Sequence, residues 1–428
     1  MIIKNVRVYT KNNIFEEGVL ATRDGKLVCL ADADTEQEID GEGAYAIPGL
    51  VDMHLHGCAG YDFCDGTKEA IAKIAEYELQ AGVVAFAPAT MALPVEELER
   101  ILHVAAEYAD EQKFQMNKNS EADRQLQSPD RGGVEGQGFS LGSKCADLVG
   151  INMEAPFISQ AKKGAQDASY ILPCEVTYAK RFIRAAGGLV KVIGIAPEAS
   201  ENALEFVEQM KGEVNLALAH TNADYDTAKA AFDAGVNHVV HLHNAMPAFL
   251  SREPGVVGAA LDSDNVSAEL ICDGVHLHPA MVRATFRMFK EERIILISDS
   301  MRATGMPDGI YTLGGQDVKV EGKYATLLSN GALAGSVTNY DEIKRKYSGN
   351  TSNGALAGSV TNLMDVMRTA VKMGIPLETA VACASSNPAK YLGIDDCYGS
   401  LEIGKNANIL LLDDNLNLKM VVKDGNQL

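Results

Sequence analysis

Apolar and polar positions along the chain follow two alternating periods. Short apolar runs of strand length appear in "PGLVDMHLHG", "LVGINMEAP", "VNLALAH", "NHVVHLHNA" and "RIILISDS". Between such runs lie stretches with the 3.6-residue period of amphipathic helices, among them "KEAIAKIAEYELQAG", "EELERILHVAAEYADEQ" and "DYDTAKAAFDAG". Several of these end at glycine, which suits a left-handed cap. The alternation predicts parallel strands joined by crossover helices. Both ends of the chain read differently, as short strands and turns: "IIKNVRVYT", "GVLATRDGKLVCLA" with Asp24-Gly25 as a hairpin turn, and "AYAIPG" at one end, "GSLEIGKNANILLLD" and "LKMVVKDG" at the other. The pattern predicts an α/β protein, a (β/α)8 TIM barrel over residues 50–393 with a small β-sandwich domain formed by both chain termini, 1–49 and 394–428.

Two stretches break the rhythm. Residues 114–144 are polar, glycine-containing and without period, and read as a long loop or disordered insertion on the face of the barrel away from any chemistry. The eleven residues "SNGALAGSVTN" occur at Ser329–Asn339 and again at Ser352–Asn362. Two copies cannot make a solenoid, so a local duplication is expected, with an irregular insertion near 329–352. The second copy runs into the periodic helix "LMDVMRTAVKMG" and is expected to hold the structural role; the first is expected in an extra loop on the catalytic face.

Candidate chemistry gathers at the C-terminal ends of the apolar runs, where a barrel of this type presents its reactive groups. His54 and His56, two apart on a strand, are expected to share a face and grip one ion together. Glu154, His220, His241 and Asp299 follow, in an order that fits barrel strands 3, 5, 6 and 8 after strand 1. A lone histidine at a strand end is more often a hydrogen-bonded structural residue, and His103 and His238 are read that way. Six donors at the ends of five strands instead supply a hydrolytic metal site: neutral imidazoles and carboxylates with a position left for water. Glu154 is the natural bridge between two ions, and Asp299 would orient water, take its proton and pass it to the leaving group.

Composition narrows the field. The chain has 428 residues, 46% hydrophobic, and a formal charge of −20. That charge argues against nucleic acid or an acidic membrane surface as partner, though a local cluster of cations and backbone N–H groups could still hold a small phosphate. The eight cysteines are scattered without framework spacing and are expected to be reduced. With no apolar span of membrane length and no secretory pattern at the N-terminus, a cytoplasmic location is expected.

Taken jointly, "PGLVDMHLHG", "GINMEAPF", "AKKGAQ", "LALAHTNADYD", "HLHNAM", "REPG", "CDGVHLHP", "ISDSM", "ALAGS" and "SSNPAKYLG" resemble the N-acetylglucosamine-6-phosphate deacetylase family of the amidohydrolase superfamily. The resemblance implies hydrolysis of the acetamide of N-acetylglucosamine 6-phosphate to glucosamine 6-phosphate and acetate. It implies that Glu154, His220 and His241 hold the principal divalent ion and that Asp299 is the acid/base. Keeping both His54 and His56 resembles the members with two metals, Zn²⁺ or Fe²⁺. It places phosphate at Asn244 and Ala245 with Arg252 reaching across a homodimer interface, sugar at His276 and Asp273, and acetamide at Ala165 and Gln166. Leu356, Ala357 and Gly358 would close the pocket with backbone groups. The chain departs from the family at Ala155, where glycine is usual and a positive φ would strain alanine, at Gln166, which is histidine in some members, and at Asn408, where aspartate is usual. The alternatives are another amidohydrolase, a cyclic amidase or deaminase, or a non-catalytic sugar-phosphate sensor.

Overall fold

The computed structural model describes residues 1–33, 37–125, 144–328, 333–334 and 358–428, with the backbone alone at 116–125 and 333–334. Eight parallel strands alternate with eight helices. The strands are β1 (Leu50–Asp52), β2 (Val83–Phe86), β3 (Ile151–Phe157), β4 (Val190–Ile195), β5 (Asn215–Leu218), β6 (His238–Val239), β7 (Ser267–Leu270) and β8 (Ile294–Leu296). The helices that follow them in turn are α1 (Lys68–Gln80), α2 (Val95–Gln125), α3 (Val176–Ala185), α4 (Ala203–Met210), α5 (Tyr225–Ala234), α6 (Gly255–Leu261), α7 (Pro279–Met288) and α8 (Leu363–Lys372). Local chemistry starts and stops them: the side chains of Thr67, Asp224 and Asn362 cap α1, α5 and α8, and Gly235 (φ 141°) ends α5.

Strands β3 to β8 pair in sequence order, and the short strand Asp147–Leu148 carries the pairing from β2 towards β3. The barrel is closed by backbone bonds from Asp299 N to His54 O (2.9 Å) and from His56 N to Ser300 O (2.7 Å). Inside it lies one apolar cluster built largely of small and β-branched residues, including Val51, Ala85, Ala155, Val192, Ala217, Val240, Ile271 and Ile295. A larger cluster seals strands against helices.

Both termini enter one seven-stranded sheet, in which the C-terminal strand Ile409–Leu412 pairs with Glu38–Pro48 near the N-terminus. This sheet has its own core of Ile3, Val6, Leu27, Ala46, Ile409 and Val422. Asn408 belongs here, accepting a hydrogen bond from Asp424 N at 2.8 Å, so the departure from aspartate lies far from the cluster of histidines. Lys423 joins the sheet to the barrel: its buried ammonium bonds Asp147 at 2.8 Å and also Asp424, while Tyr398 donates to the same Asp147 oxygen at 2.8 Å.

One expectation needs correction. The stretch from 114 is not loop throughout, because α2 runs on to Gln125; residues 114–125 contain no glycine or proline and are rich in side chains with good helix propensity, which outweighs their lack of an apolar stripe. Residues 126–143 lie outside the described residues. Of the irregular insertion expected near 329–352, only residues 333–334 are among the described residues. Strands Gly309–Leu313, Gln316–Glu321 and Tyr324–Leu327 form an antiparallel meander, and Leu333–Ala334, from the first copy of the duplication, adds a fourth strand. Gly314 (φ 56°) and Gly315 (φ 76°) make its first two-residue turn, which only a residue tolerant of left-handed backbone can do at both positions. The inner face of this meander packs Leu313, Val318 and Val320 on Met91, Ala165 and Met301 at the barrel mouth. Of the second copy, Gly358 to Asn362 is described and leads into α8; Leu356 and Ala357 lie outside the described residues. Among the described residues no helix is long and apolar enough to cross a membrane.

Candidate active site

Six side chains from five strands meet at one mouth of the barrel. Glu154 Oε1 is 2.9 Å from His220 Nε2, 2.9 Å from His241 Nε2 and 3.6 Å from His54 Nε2, while Glu154 Oε2 is 3.6 Å from His56 Nε2. Asp299 Oδ1 stands 3.4 Å from His56 Nε2 and 3.7 Å from His54 Nε2. All six are buried.

The route by which His54 and His56 arrive differs from simple alternation. β1 ends at Asp52; Val51 and Met53 face the barrel interior, and Asp52 lies within electrostatic reach of Glu78 of α1. Strict alternation would send His54 to the α1 side as well. The chain leaves the strand after Asp52 and carries both imidazoles to the mouth, with ring centres 5.5 Å apart. Several neighbouring groups are held by unusual backbone: His220 (φ 44°), His241 (φ 30°), His243 (φ 79°), Ala245 (φ 50°) and Asp299 (φ 48°) all occupy left-handed conformations. Each costs on the order of 1–3 kcal/mol for a residue with a β-carbon, and such strain collects where the fold must aim functional groups. Ala155 is free of it, since it lies in β3 outside the left-handed region, so the extra methyl is accommodated in the barrel interior.

The hydrogen-bond pattern tests whether these residues suit a cation. His220 Nδ1 donates to Lys162 O (2.7 Å), His241 Nδ1 to Asn244 O (3.2 Å) and His54 Nδ1 to Glu269 (2.8 Å). With that proton committed, each Nε2 is left to face the Glu154 carboxylate. His220 Nε2 and His241 Nε2 are 3.3 Å apart, and His54 Nε2 is buried with no hydrogen-bond partner. A ring nitrogen this close to a carboxylate oxygen or to another ring nitrogen needs a proton or a cation between them. A tetrahedral ion with bonds of about 2.0–2.1 Å spaces its ligands by roughly 3.3 Å, so the set fits a divalent metal. Two groups of potential ligands share Glu154: His54, His56 and Glu154, and Glu154, His220 and His241. Burial pushes the Glu154 carboxyl up, but His220, His241 and His54 together hold it well below the usual carboxylate range. Burial likewise opposes ionisation of Asp299, and the His56 and His54 imidazoles outweigh it.

A cavity of about 410 Å³ opens above this cluster. Of the residues that resemblance assigns to substrate, Ala165, Gln166, Asn244, Ala245, His276 and Gly358 line it. Asp273 supports it from behind, accepting from His276 Nδ1 at 2.8 Å and leaving His276 Nε2 buried without a partner. Gln166 also braces the cluster, its amide donating to Glu154 Oε2 at 2.9 Å and its oxygen accepting from Ala92 N at 2.6 Å. Arg252 is exposed on the β6–α6 loop and does not line the cavity of its own chain. Sequence reasoning passed over Lys162, the one lysine or arginine among the described lining residues, whose Nζ reaches Met246 O at 3.2 Å. His238, read as structural, lies in β6 and contacts Glu269; His103 is an exposed residue of α2 beside Glu107.

A closed (β/α)8 barrel with a His/Glu/Asp cluster of this kind at its C-terminal mouth defines a metal-dependent hydrolase. A family model described as the amidohydrolase family matches residues 143–428. N-acetylglucosamine-6-phosphate deacetylase of Bacillus subtilis (strain 168) is 31% identical, across 100% of this chain and 96% of that protein. N-acetylgalactosamine-6-phosphate deacetylase of Escherichia coli O157:H7 is 30% identical over 99% and 98% of the two chains. Among solved structures, a variant of N-acetyl-D-glucosamine-6-phosphate deacetylase from Mycobacterium smegmatis in complex with N-acetyl-D-glucosamine-6-phosphate superposes with a TM-score of 0.80 at 28% identity, covering 100% of this chain and 98% of that one. This chain belongs to the amidohydrolase family, within its N-acetylglucosamine-6-phosphate deacetylase branch.

Proposed function

We propose that the protein hydrolyses the acetamide of N-acetyl-D-glucosamine 6-phosphate, releasing D-glucosamine 6-phosphate and acetate, in the cytoplasm and as a homodimer. The observation that carries the reading is the convergence of Glu154, His220, His241, His54 and His56 nitrogens and oxygens beside Asp299, under a cavity lined by His276, Asn244 and Ala245. Glu154, His220 and His241 would hold a divalent cation, Zn²⁺ or Fe²⁺, with His54 and His56 available for a second, and such an ion would supply the Lewis acidity that lowers the pKa of water and polarises an acetyl carbonyl. The protein's own groups do the rest. Asp299, held ionised, accepts a proton from the attacking water and delivers it to the amine nitrogen as the C–N bond breaks; the water's oxygen ends in acetate. His276, fixed by Asp273, orients the sugar, and Gln166 keeps Glu154 in place while bordering the acetyl group.

Acetate release decides the matter. The purified chain should release acetate from N-acetylglucosamine 6-phosphate, much less from the unphosphorylated sugar, and lose activity to a chelator with recovery on adding Zn²⁺ or Fe²⁺. Because one relative takes its name from the galactose epimer, N-acetylgalactosamine 6-phosphate belongs in the same assay. Full metal occupancy with no acetate from either sugar would leave the sensor reading in its place.

Phosphate recognition gives a second test. A phosphate dianion in the cavity needs cations, and one chain offers Lys162 there while Arg252 would come from the partner. Arg252→Ala should raise KM roughly 10- to 150-fold, the loss of about 1.5–3 kcal/mol of charged hydrogen bonding, with kcat little changed. If Arg252 serves the neighbouring subunit, mixing R252A with inactive D299N should restore activity through hybrid dimers, and unrestored mixtures would place Arg252 on its own site or on none.

A further inference from the structure

Beneath the six converging side chains lies a buried carboxylate that the proposed hydrolysis does not use. Glu269, on β7, is fully buried. Its Oε2 accepts from His54 Nδ1 at 2.8 Å and from the backbone N of His241 at 3.0 Å. Its Oε1 stands 3.1 Å from His238 Nε2, and His238 Nδ1 is 2.7 Å from Ser267 Oγ. The His238 ring is stacked on Tyr391 with centres 4.3 Å apart, which fixes it from outside the barrel.

The backing of the imidazoles is unequal. The rear nitrogens of His220 and His241 meet neutral backbone carbonyls, and His56 Nδ1 has no partner. His54 alone is backed by a carboxylate. A full negative charge on that proton fixes the tautomer, aims the Nε2 lone pair at Glu154 and Asp299, and makes that lone pair a stronger donor. Charge balance points the same way. Glu154 and Asp299 together neutralise one divalent cation; a second adds two more positive charges in a buried place, and Glu269 is a further carboxylate, hydrogen-bonded to a ligand imidazole itself. Through Oε2 it also ties His54 to the backbone of His241, so both ligand groups hang on one frame.

The geometry points to Glu269 as the positioning residue of the His54–His56 end of the cluster, the group that decides whether a second divalent cation is retained. This rests on the reading that the cluster holds divalent cations. In Glu269→Gln the amide can keep the contacts, oxygen toward His54 and His241 and NH₂ toward His238, while the charge is gone; in Glu269→Ala the acceptor is gone as well.

The experiment is metal stoichiometry by elemental analysis and titration calorimetry with Zn²⁺, together with the visible spectrum of the Co²⁺-substituted protein. Wild type should bind two ions. E269A should bind one, with loss of part of the Co²⁺ absorption, and E269Q should bind two with the weaker ion loosened roughly 10- to 100-fold, the usual cost of removing a group that backs a ligand. E269Q binding both ions with wild-type affinity overturns the assignment, as does a wild-type chain that takes only one; a misfolded E269A, seen by circular dichroism, leaves E269Q to decide. Acetate release by wild type is read separately: two ions bound without acetate removes the deacetylase reading and leaves Glu269 standing.

Discussion

Replacing Asp299 by asparagine is expected to lower kcat by roughly 10²- to 10⁴-fold, the usual worth of a positioned acid/base, while the metal content stays near wild type. Asparagine keeps the shape and the backbone bonds, from Asp299 N to His54 O at 2.9 Å and from Ser359 N to Asp299 O at 2.6 Å, that close the barrel and hold the left-handed turn at this position. It removes the carboxylate that stands 3.4 Å from His56 Nε2. Glu154 and the four histidines are untouched, so elemental analysis should separate loss of catalysis from loss of metal. Retained turnover would take Asp299 out of the mechanism. The pH sign follows from its environment. The imidazoles hold its carboxyl below the ordinary range against the pull of burial, so the basic form is present above that depressed value. The rate should therefore fall on the acid side, as pH drops through the pKa, and the acid limb should vanish in the D299N residual activity.

The second large effect is on stability. Lys423→Met should destabilise the protein by about 3–5 kcal/mol, read as a lowered urea midpoint, because removing one partner strands a buried charge. The Lys423 side chain is 1% exposed and bonds Asp147 at 2.8 Å. Burial pushes the Asp147 carboxyl up and Lys423 opposes it most strongly, so loss of the ammonium leaves that carboxylate without its main compensation. The double variant Asp147→Asn, Lys423→Met should recover much of the loss, since both charges then go. A single-variant effect below about 1 kcal/mol would show that the pair does not fasten the terminal sheet to the barrel. The strand Asp147–Leu148 leads into β3, which carries Glu154, so K423M should also weaken metal binding if the fastening reaches the site.

Much of this was legible before any coordinates. Apolar runs carrying His54, His220, His241 and Asp299 just past their ends marked the strands and the side chains together, because a buried parallel strand is mostly apolar along its length; Glu154 instead lies inside β3, and Glu269 inside β7. The helix N-caps at Thr67, Asp224 and Asn362 are local hydrogen-bond chemistry. The regular meander over 309–327 was missed, its strands being short and its register set by pairing across turns rather than by an apolar period of its own. The helical extension to Gln125 carries no apolar stripe and rests on helix propensity alone. Glu269 left one signal that was not taken up: a single acidic residue inside the apolar stretch "SAELIC".

Which atoms could ligate, and in what order around the barrel, was settled by residue types and spacing, since those depend only on local periodicity and on what each side chain can donate. Which nitrogen of each imidazole is turned to the centre was decided by tertiary structure alone. The groups that hold the rear nitrogens come from far along the chain, Lys162 O for His220 at a separation of 58 residues and Glu269 for His54 at 215. No local pattern encodes such pairs; they exist only once the barrel has closed and holds His220, His241 and Asp299 in left-handed backbone that a residue with a β-carbon seldom adopts.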